Sequence, residues 1–89
     1  MSPQEVAESF ALTDSIVRAM RLRSQMFACE AQLEGLKQRL AAHPSAGCSE
    51  ELRRTRLEAV QIGRALLTAC DEIAAINFRR AYPGRESGG

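Results

Sequence analysis

Residues 33–55 read LEGLKQRLAAHPSAGCSEELRRT. Within them one short breaker, around Pro44, separates two segments that share the same apolar spacing. In the first segment, apolar and small residues recur at alternating intervals of three and four: Leu12, Ser15, Ala19, Leu22, Met26, Cys29, Leu33, Leu36 and Leu40. The second segment repeats the rhythm at Leu52, Thr55, Ala59, Ile62, Leu66, Ala69, Ile73 and Ile76. This spacing places each set, called here a seam, on one side of an α-helix. The sequence therefore predicts an all-α fold, an antiparallel two-helix hairpin.

The start of the first helix carries strong capping signals. Ser2 is suited to accept hydrogen bonds from free backbone N–H groups, Pro3 suits the first helical position, and Glu5 completes a capping-box spacing. Residues 12–15 include further cap-type residues, which would permit a short or bent N-terminal segment. Because the apolar rhythm continues through them, we expect one helix over about residues 3–42.

A turn at residues 43–48 separates the two helices. It contains a proline, which pushes the residue before it out of the helical conformation. Ser49 is the expected N-cap of a second helix over about 50–81. We expect a single hairpin domain over 1–82, followed by a flexible tail at 83–89.

Folding the chain about this turn predicts how the two seams pair. Leu33 is expected near Ala59, and Met26 near Leu66. Large side chains then meet small ones along much of the interface, as interdigitating helices require.

The composition limits the class of protein. With 89 residues and a net charge of +1, the chain is one small domain without a general attraction for nucleic acid or anionic lipid. Its three cysteines are odd in number, and we expect Cys29 and Cys70 to be small core residues and Cys48 an exposed thiol. This usage, with no signal peptide and no membrane-length apolar run, predicts a cytoplasmic protein.

A hairpin buries one seam per helix, yet this chain carries more apolar residues than two seams need. The first helix has a second stripe: Val6, Phe10, Thr13, Val17, Met20, Ser24, Phe27 and Ala31. The second helix has a weaker one: Val60, Leu67, Ala74 and Phe78. Surplus apolar surface of this size marks an interface. The predicted partner-binding residues are Val6, Phe10, Val17, Met20, Phe27, Leu67 and Phe78.

Two interpretations of this surplus stay open. Two hairpins would bury it by self-association into a four-helix bundle. Alternatively, it would be a groove or helix face that holds a different protein. In both cases the hairpin becomes part of a helical bundle.

The sequence lacks the residues that enzymatic chemistry would need. His43 is the single histidine and has no evident nucleophile as a partner, so we expect no enzyme. No cofactor is expected, because there is no glycine-rich phosphate loop, and no metal site, because paired ligand spacing is missing.

Two arginine clusters, at 18–23 and 53–56, have several glutamates within reach and are interpreted as solvated helix surface. The alternative is a homodimeric bundle that aligns arginines along RNA, as the small plasmid-copy-control four-helix bundle does. The near-neutral charge and the lack of aromatic residues between the arginines disfavour nucleic acid.

The hairpin resembles the small helical proteins of bacterial type III secretion systems. The resemblance rests on residues 33–40 leading into His43-Pro44-Ser45, and on a capped helix that ends DEIAAINFR at 71–79. Two families share this shape: the co-chaperone that acts with a helical-repeat chaperone to hold the needle subunit monomeric, and the needle subunit itself.

Three departures separate this chain from needle subunits. Ala46-Gly47 stands where the needle turn usually carries a second proline, Ala65-Leu66-Leu67 replaces a polar, Asn-rich segment, and needle subunits tend to lack cysteine. The resemblance therefore favours the co-chaperone family. It implies a non-enzymatic protein of the bacterial cytoplasm whose partners are the helical-repeat chaperone, the needle subunit, or both, with no small-molecule substrate and no membrane insertion.

Overall fold

The computed structural model describes residues 2–82 and consists of two α-helices. Helix α1 spans Pro3–Ala42 and helix α2 spans Ala46–Ala81. The predicted all-α hairpin is confirmed, and α1 runs without a break through residues 12–15. The molecule is a rod of 62 × 24 × 15 Å. Its length equals the roughly 60 Å of a 40-residue helix, so α1 sets the long dimension. The tail expected at 83–89 lies outside the described residues.

Helix α1 begins where the sequence indicates, whereas α2 begins earlier. The Ser2 hydroxyl oxygen accepts a 3.2 Å hydrogen bond from the backbone N–H of Glu5. The prediction of Ser49 as the second cap is wrong, because Ser45 takes this role and accepts from the N–H of Cys48 at 3.1 Å. Ser45 directly follows the proline, and its extended backbone lets the helix begin at the next residue. The connection is therefore three residues, 43–45, rather than six.

The shorter connection changes the pairing of the helices. The Cys29 thiol lies 3.5 Å from the carbonyl oxygen of Thr55, and the Cys48 thiol lies 3.6 Å from that of Leu36. These contacts establish the antiparallel arrangement. Both contacts fall nearer the start of α2 than the predicted pairings, in keeping with a helix that begins at Ala46 rather than at about residue 50.

The two seams form the interface between the helices, as predicted. Every predicted seam position is buried or half-buried. The eight buried residues among those described are Ser15, Cys29, Leu36, Leu52, Thr55, Ile62, Ala69 and Ile76. A core this narrow supplies only a few kcal/mol of stability in a chain of this size.

Polar groups inside the interface have hydrogen-bond partners. Thr55 donates its hydroxyl to the carbonyl of Glu51 at 2.8 Å, one turn earlier in α2. The Ser15 hydroxyl donates to Glu72 across the interface at 3.1 Å. No buried side-chain nitrogen or oxygen within residues 2–82 lacks a hydrogen-bond partner. The core therefore carries no unpaired polar atom that would point to a missing ligand.

The cysteines differ from expectation at two of three positions. Cys29 is buried as predicted, and burial raises the pKa of its thiol, with the nearby carboxylates of Glu58 and Glu30 acting in the same direction. Cys70 is exposed, because it follows the seam residue Ala69 and lies on the flank of α2. Cys48 is half-buried rather than exposed, because α2 already includes it and turns it toward α1.

Candidate protein-binding surface

The second stripe predicted on α1 lies in solvent along its whole length. Its eight positions are all exposed, and the largest side chains are the most open: Phe10 is 72% exposed, Met20 65% and Phe27 60%. Val6 and Val17 are exposed to a smaller extent. We call this set the outer stripe of α1. Within the hairpin it contributes nothing to the core, so its apolar character is not explained by folding of a single chain.

The outer stripe of α1 faces away from α2. Successive helical residues advance by about 100°, which places the centre of the outer stripe about 150° from the centre of the seam. Helix α1 therefore has two apolar surfaces, the seam and the outer stripe, on nearly opposite sides. The members of the outer stripe recur at intervals of four and three from Val6 to Ala31. This is the heptad spacing of a second helix-packing surface.

Helix α2 has its own outer stripe on the opposite edge of the rod. Val60, Leu67 and Phe78 are exposed, and Leu57 extends the stripe toward the loop. The same angular argument turns this set away from α1. The predicted partner-binding residues therefore form two separate surfaces: Val6, Phe10, Val17, Met20 and Phe27 on one edge, and Leu67 and Phe78 on the other.

A shallow depression of about 410 Å³ lies in the middle of the outer stripe of α1. It is open to solvent and lined by Val17, Met20, Arg21, Ser24 and Gln25. Four of these residues stand at positions i, i+3, i+4 and i+7, and Ser24, the smallest of them, leaves the space. Four residues in this arrangement form the hole that receives one side chain of a neighbouring helix in coiled-coil packing.

Arginines flank the outer stripe of α1 at its centre. From residue 16 to residue 29 the chain has three arginines and no acidic residue. Arg18 pairs with Asp14 at 2.9 Å and with Glu72 at 3.3 Å. Arg21 and Arg23 make no ion pair with any carboxylate of residues 2–82, and the Arg23 guanidinium lies 5.8 Å from the ring centre of Phe27. The middle of the stripe is therefore apolar with uncompensated positive charge on its flanks.

The predicted stripes did not include three exposed apolar residues: Ile16, Leu57 and Tyr82. Tyr82 contacts Phe78 with ring centroids 5.0 Å apart, so the end of α2 presents an aromatic pair. The i,i+4 spacing of these two residues was the available signal. Leu57 stands three residues before Val60 and could have been found from the same spacing.

The surface presents apolar side chains and positive charge. Within residues 2–82, no group of three His, Cys, Asp or Glu side chains is arranged to hold a metal ion. His43 lies exposed in the connection. Neither described helix combines the length and the apolar character needed to cross a bilayer.

Comparisons with protein-family models, with curated proteins and with solved structures found no match to this chain. The surface itself therefore has three features that bear on function: a narrow apolar stripe at heptad spacing, a shallow depression in its middle, and two flanking arginines. The resemblance to type III secretion proteins stays a prediction.

Proposed function

We propose that this chain is a non-enzymatic protein-binding module that packs the outer stripe of α1 against a helix of another protein. The observation that carries this proposal is the exposure of Phe10, Met20 and Phe27 at heptad spacing on the side of α1 turned away from α2. Exposed aromatic and Met side chains of this kind are enriched at the centres of protein interfaces. The stripe also matches the dimensions of helix-to-helix packing, since it is about two residues wide and several turns long.

In its specific form, the proposal is that the module is a cytoplasmic co-chaperone of a bacterial type III secretion system. It would help to keep the needle subunit monomeric before export, by binding a helical-repeat chaperone, the needle subunit, or both. Support comes from the resemblance of the hairpin and its Pro-Ser turn. In this role no covalent bond changes; apolar helix surface is covered until export.

A co-purification experiment tests the proposal. The chain is co-expressed with the helical-repeat chaperone and needle subunit of its host, and we expect a stoichiometric complex. The double variant Phe10→Ser/Phe27→Ser should lose the complex while keeping the helix content measured by circular dichroism. The matched variant Leu67→Ser/Phe78→Ser tests the edge formed by α2 separately. Co-purification of Phe10→Ser/Phe27→Ser at wild-type yield would contradict the assignment of the surface.

A second candidate function is self-assembly, as in a needle subunit, and one observation favours it. The two outer stripes lie on opposite edges of the rod, so a contact between the α1 edge of one copy and the α2 edge of the next would not close. Open contacts of this type generate filaments. Electron microscopy of the concentrated protein distinguishes the two functions: ordered filaments would favour self-assembly, and their absence would favour the module.

RNA binding by a homodimeric bundle has less support. Arg21 and Arg23 lie on opposite flanks of α1, about 160° apart around the helix axis, so the first arginine cluster does not form one patch. Arg18 is engaged with two carboxylates. An RNA-binding protein would lose affinity steeply with added salt, which a filter-binding titration would reveal.

A further inference from the structure

From the flanking charges we infer the chemistry of the partner, an inference that rests on the proposed function. We propose that the outer stripe of α1 receives an amphipathic α-helix that inserts one large apolar side chain beside Ser24 and presents acidic residues to Arg21 and Arg23.

The depression in the middle of the outer stripe of α1 has the geometry of a hole in coiled-coil packing. Val17, Met20, Arg21 and Ser24 occupy the i, i+3, i+4 and i+7 positions around the depression of about 410 Å³. A lipid surface or a flat sheet has no regularly spaced knob to fill such a hole, whereas a helix has one at every turn. The stripe also includes polar Thr13 and Ser24. A narrow stripe with polar interruptions suits a helix better than it suits the continuous apolar surface of a membrane interface.

Arg21 and Arg23 lie on the two flanks of the outer stripe of α1. Relative to the centre of the outer stripe, Arg21 lies about 80° to one side and Arg23 about 80° to the other. These are the angular positions that flank the apolar seam of a coiled coil, where charged pairs between helices determine partner choice. Neither arginine has an ion pair within residues 2–82, and no acidic residue occurs between positions 16 and 29. The free charge is therefore complementary to glutamate or aspartate on the flanks of the incoming helix.

A second copy of this chain, packed symmetrically at the same surface, is a poorer occupant. Two α1 helices packed antiparallel through their outer stripes and centred on Met20 would bring Arg21 and Arg23 of one copy near the same arginines of the other. Like charges across an interface disfavour association. The outer stripe of α2 has arginines beside it at Arg54 and Arg56, and Asp71, between Leu67 and Ala74, gives it a single acid within the stripe rather than acidic residues on both flanks. A different helix with acidic residues on both flanks complements Arg21 and Arg23 better.

The test uses two designed three-heptad peptides with leucine at the seam positions and a fluorescent label. One peptide has glutamate at every flanking position, and the other has lysine. Binding to the full chain is followed by fluorescence anisotropy at low ionic strength and again with added salt. We expect the glutamate peptide to bind about tenfold more tightly than the lysine peptide, with the difference reduced by salt.

Two variants, each with a matched control, test the role of the arginines and the role of the depression separately. Arg21→Glu/Arg23→Glu should reverse the order of the peptides, whereas the matched pair Arg54→Glu/Arg56→Glu should leave it unchanged. Ser24→Leu fills the hole, so it should weaken binding of the glutamate peptide about tenfold although it adds apolar surface. Gln61→Leu adds a leucine to the exposed surface of α2 and should leave binding unchanged. Circular dichroism confirms that each variant keeps its helix content.

Specific outcomes would overturn the inference. Equal affinity for the two peptides, or tighter binding of the lysine peptide, would contradict the acidic chemistry while leaving a helix-binding module intact. Unchanged or tighter binding by Ser24→Leu would contradict the insertion of a partner side chain beside Ser24. Binding of neither peptide, together with binding to phosphatidylserine vesicles, would overturn both this inference and the proposed function.

Discussion

The hydroxyl of Ser15 donates a 3.1 Å hydrogen bond to Oε2 of Glu72, which joins α1 to α2 far from the connecting loop. Arg18 reaches the same carboxylate oxygen at 3.3 Å and pairs with Asp14 at 2.9 Å. Ser15 is only 4% exposed, whereas the ion-paired side chains are partly in solvent. Exposed ion pairs contribute little, so the buried hydroxyl is the member of this network that aligns the helices.

The Ser15–Glu72 hydrogen bond should contribute measurably to stability. Ser15→Ala should lower the free energy of unfolding by about 1 kcal/mol, because a hydrogen bond to a charged acceptor is lost. A double-mutant cycle with Glu72→Ala, followed by urea unfolding, should show a coupling of about 1 kcal/mol. Asp14→Ala is the control and should change stability by less than about 0.5 kcal/mol. Additive effects of Ser15→Ala and Glu72→Ala would show that the hydrogen bond does not form in solution.

Replacing a leucine with alanine should cost far more stability in the seam than in an outer stripe. Leu36 is fully buried, so Leu36→Ala should cost about 2–5 kcal/mol and approach the whole stability of the hairpin. Leu67 is exposed, and Leu67→Ala should cost less than about 0.5 kcal/mol. Urea unfolding at low protein concentration measures both. A large cost at Leu67 would mean that the outer stripe of α2 is buried by self-association.

Replacing either of two glycines inside helices with alanine should stabilise the fold. Nothing lies within 4 Å of the position that a Cβ would take on Gly35, whereas the methyl carbon of Met26 lies 3.4 Å from that position on Gly63. Glycine inside a helix is unfavourable, so Gly35→Ala should raise the free energy of unfolding by about 0.5–1 kcal/mol. Gly63→Ala should gain at least as much, because its added methyl group would lie at ordinary contact distance from the Met26 side chain in the interface. Thermal unfolding checks the order, and a loss of stability at Gly63 would contradict the packing described.

The Glu50–Arg53 pair predicts a pH dependence. The Arg53 guanidinium hydrogen-bonds Glu50 at 2.6 Å and lowers the pKa of that carboxyl, first through this bond and then through its charge. Because the pKa is lower in the folded state, the pair stabilises the fold above the ordinary carboxyl pKa and is lost as pH falls through the lowered value. Arg53→Gln should raise the pKa of Glu50 and reduce the loss of stability between about pH 5 and 3.

Carboxyl titration by NMR measures this effect directly. Arg56→Gln removes the same charge three residues further along α2 and serves as the control, with the pKa of Glu50 expected to stay as in the wild type. If the pKa of Glu50 does not change in Arg53→Gln, the ion pair is absent in solution.

Apolar spacing was sufficient to predict both helices and every seam position, since periodicity alone specifies which residues share one side of a helix. It was insufficient to choose between Ser45 and Ser49, because both are competent caps and the choice depends on the backbone that Pro44 sets. The resulting shift of the pairing was therefore missed as well. The exposure of Cys70 was also missed, because a residue beside a seam is buried only if the partner helix covers that flank.

The partner of the outer stripes could not be predicted from the sequence. Spacing revealed that α1 carries a second apolar set, and helical geometry then places this set away from α2. What covers the set depends on another surface, which a single chain does not contain. The arginines on its flanks favour a partner surface with acidic residues, because their charge must be complemented when the stripe is buried.

The solution mass of the purified chain tests whether the outer stripe of α1 is free to bind a different protein. Light scattering over a concentration series should give the monomer mass of 9.8 kDa at the lowest concentrations. At higher concentrations the mass should not settle at twice this value, because the arginines beside the outer stripe of α1 disfavour its burial against a second copy. A constant mass of twice the monomer over the whole series would contradict the account, since the outer stripe of α1 would then be buried in a closed dimer.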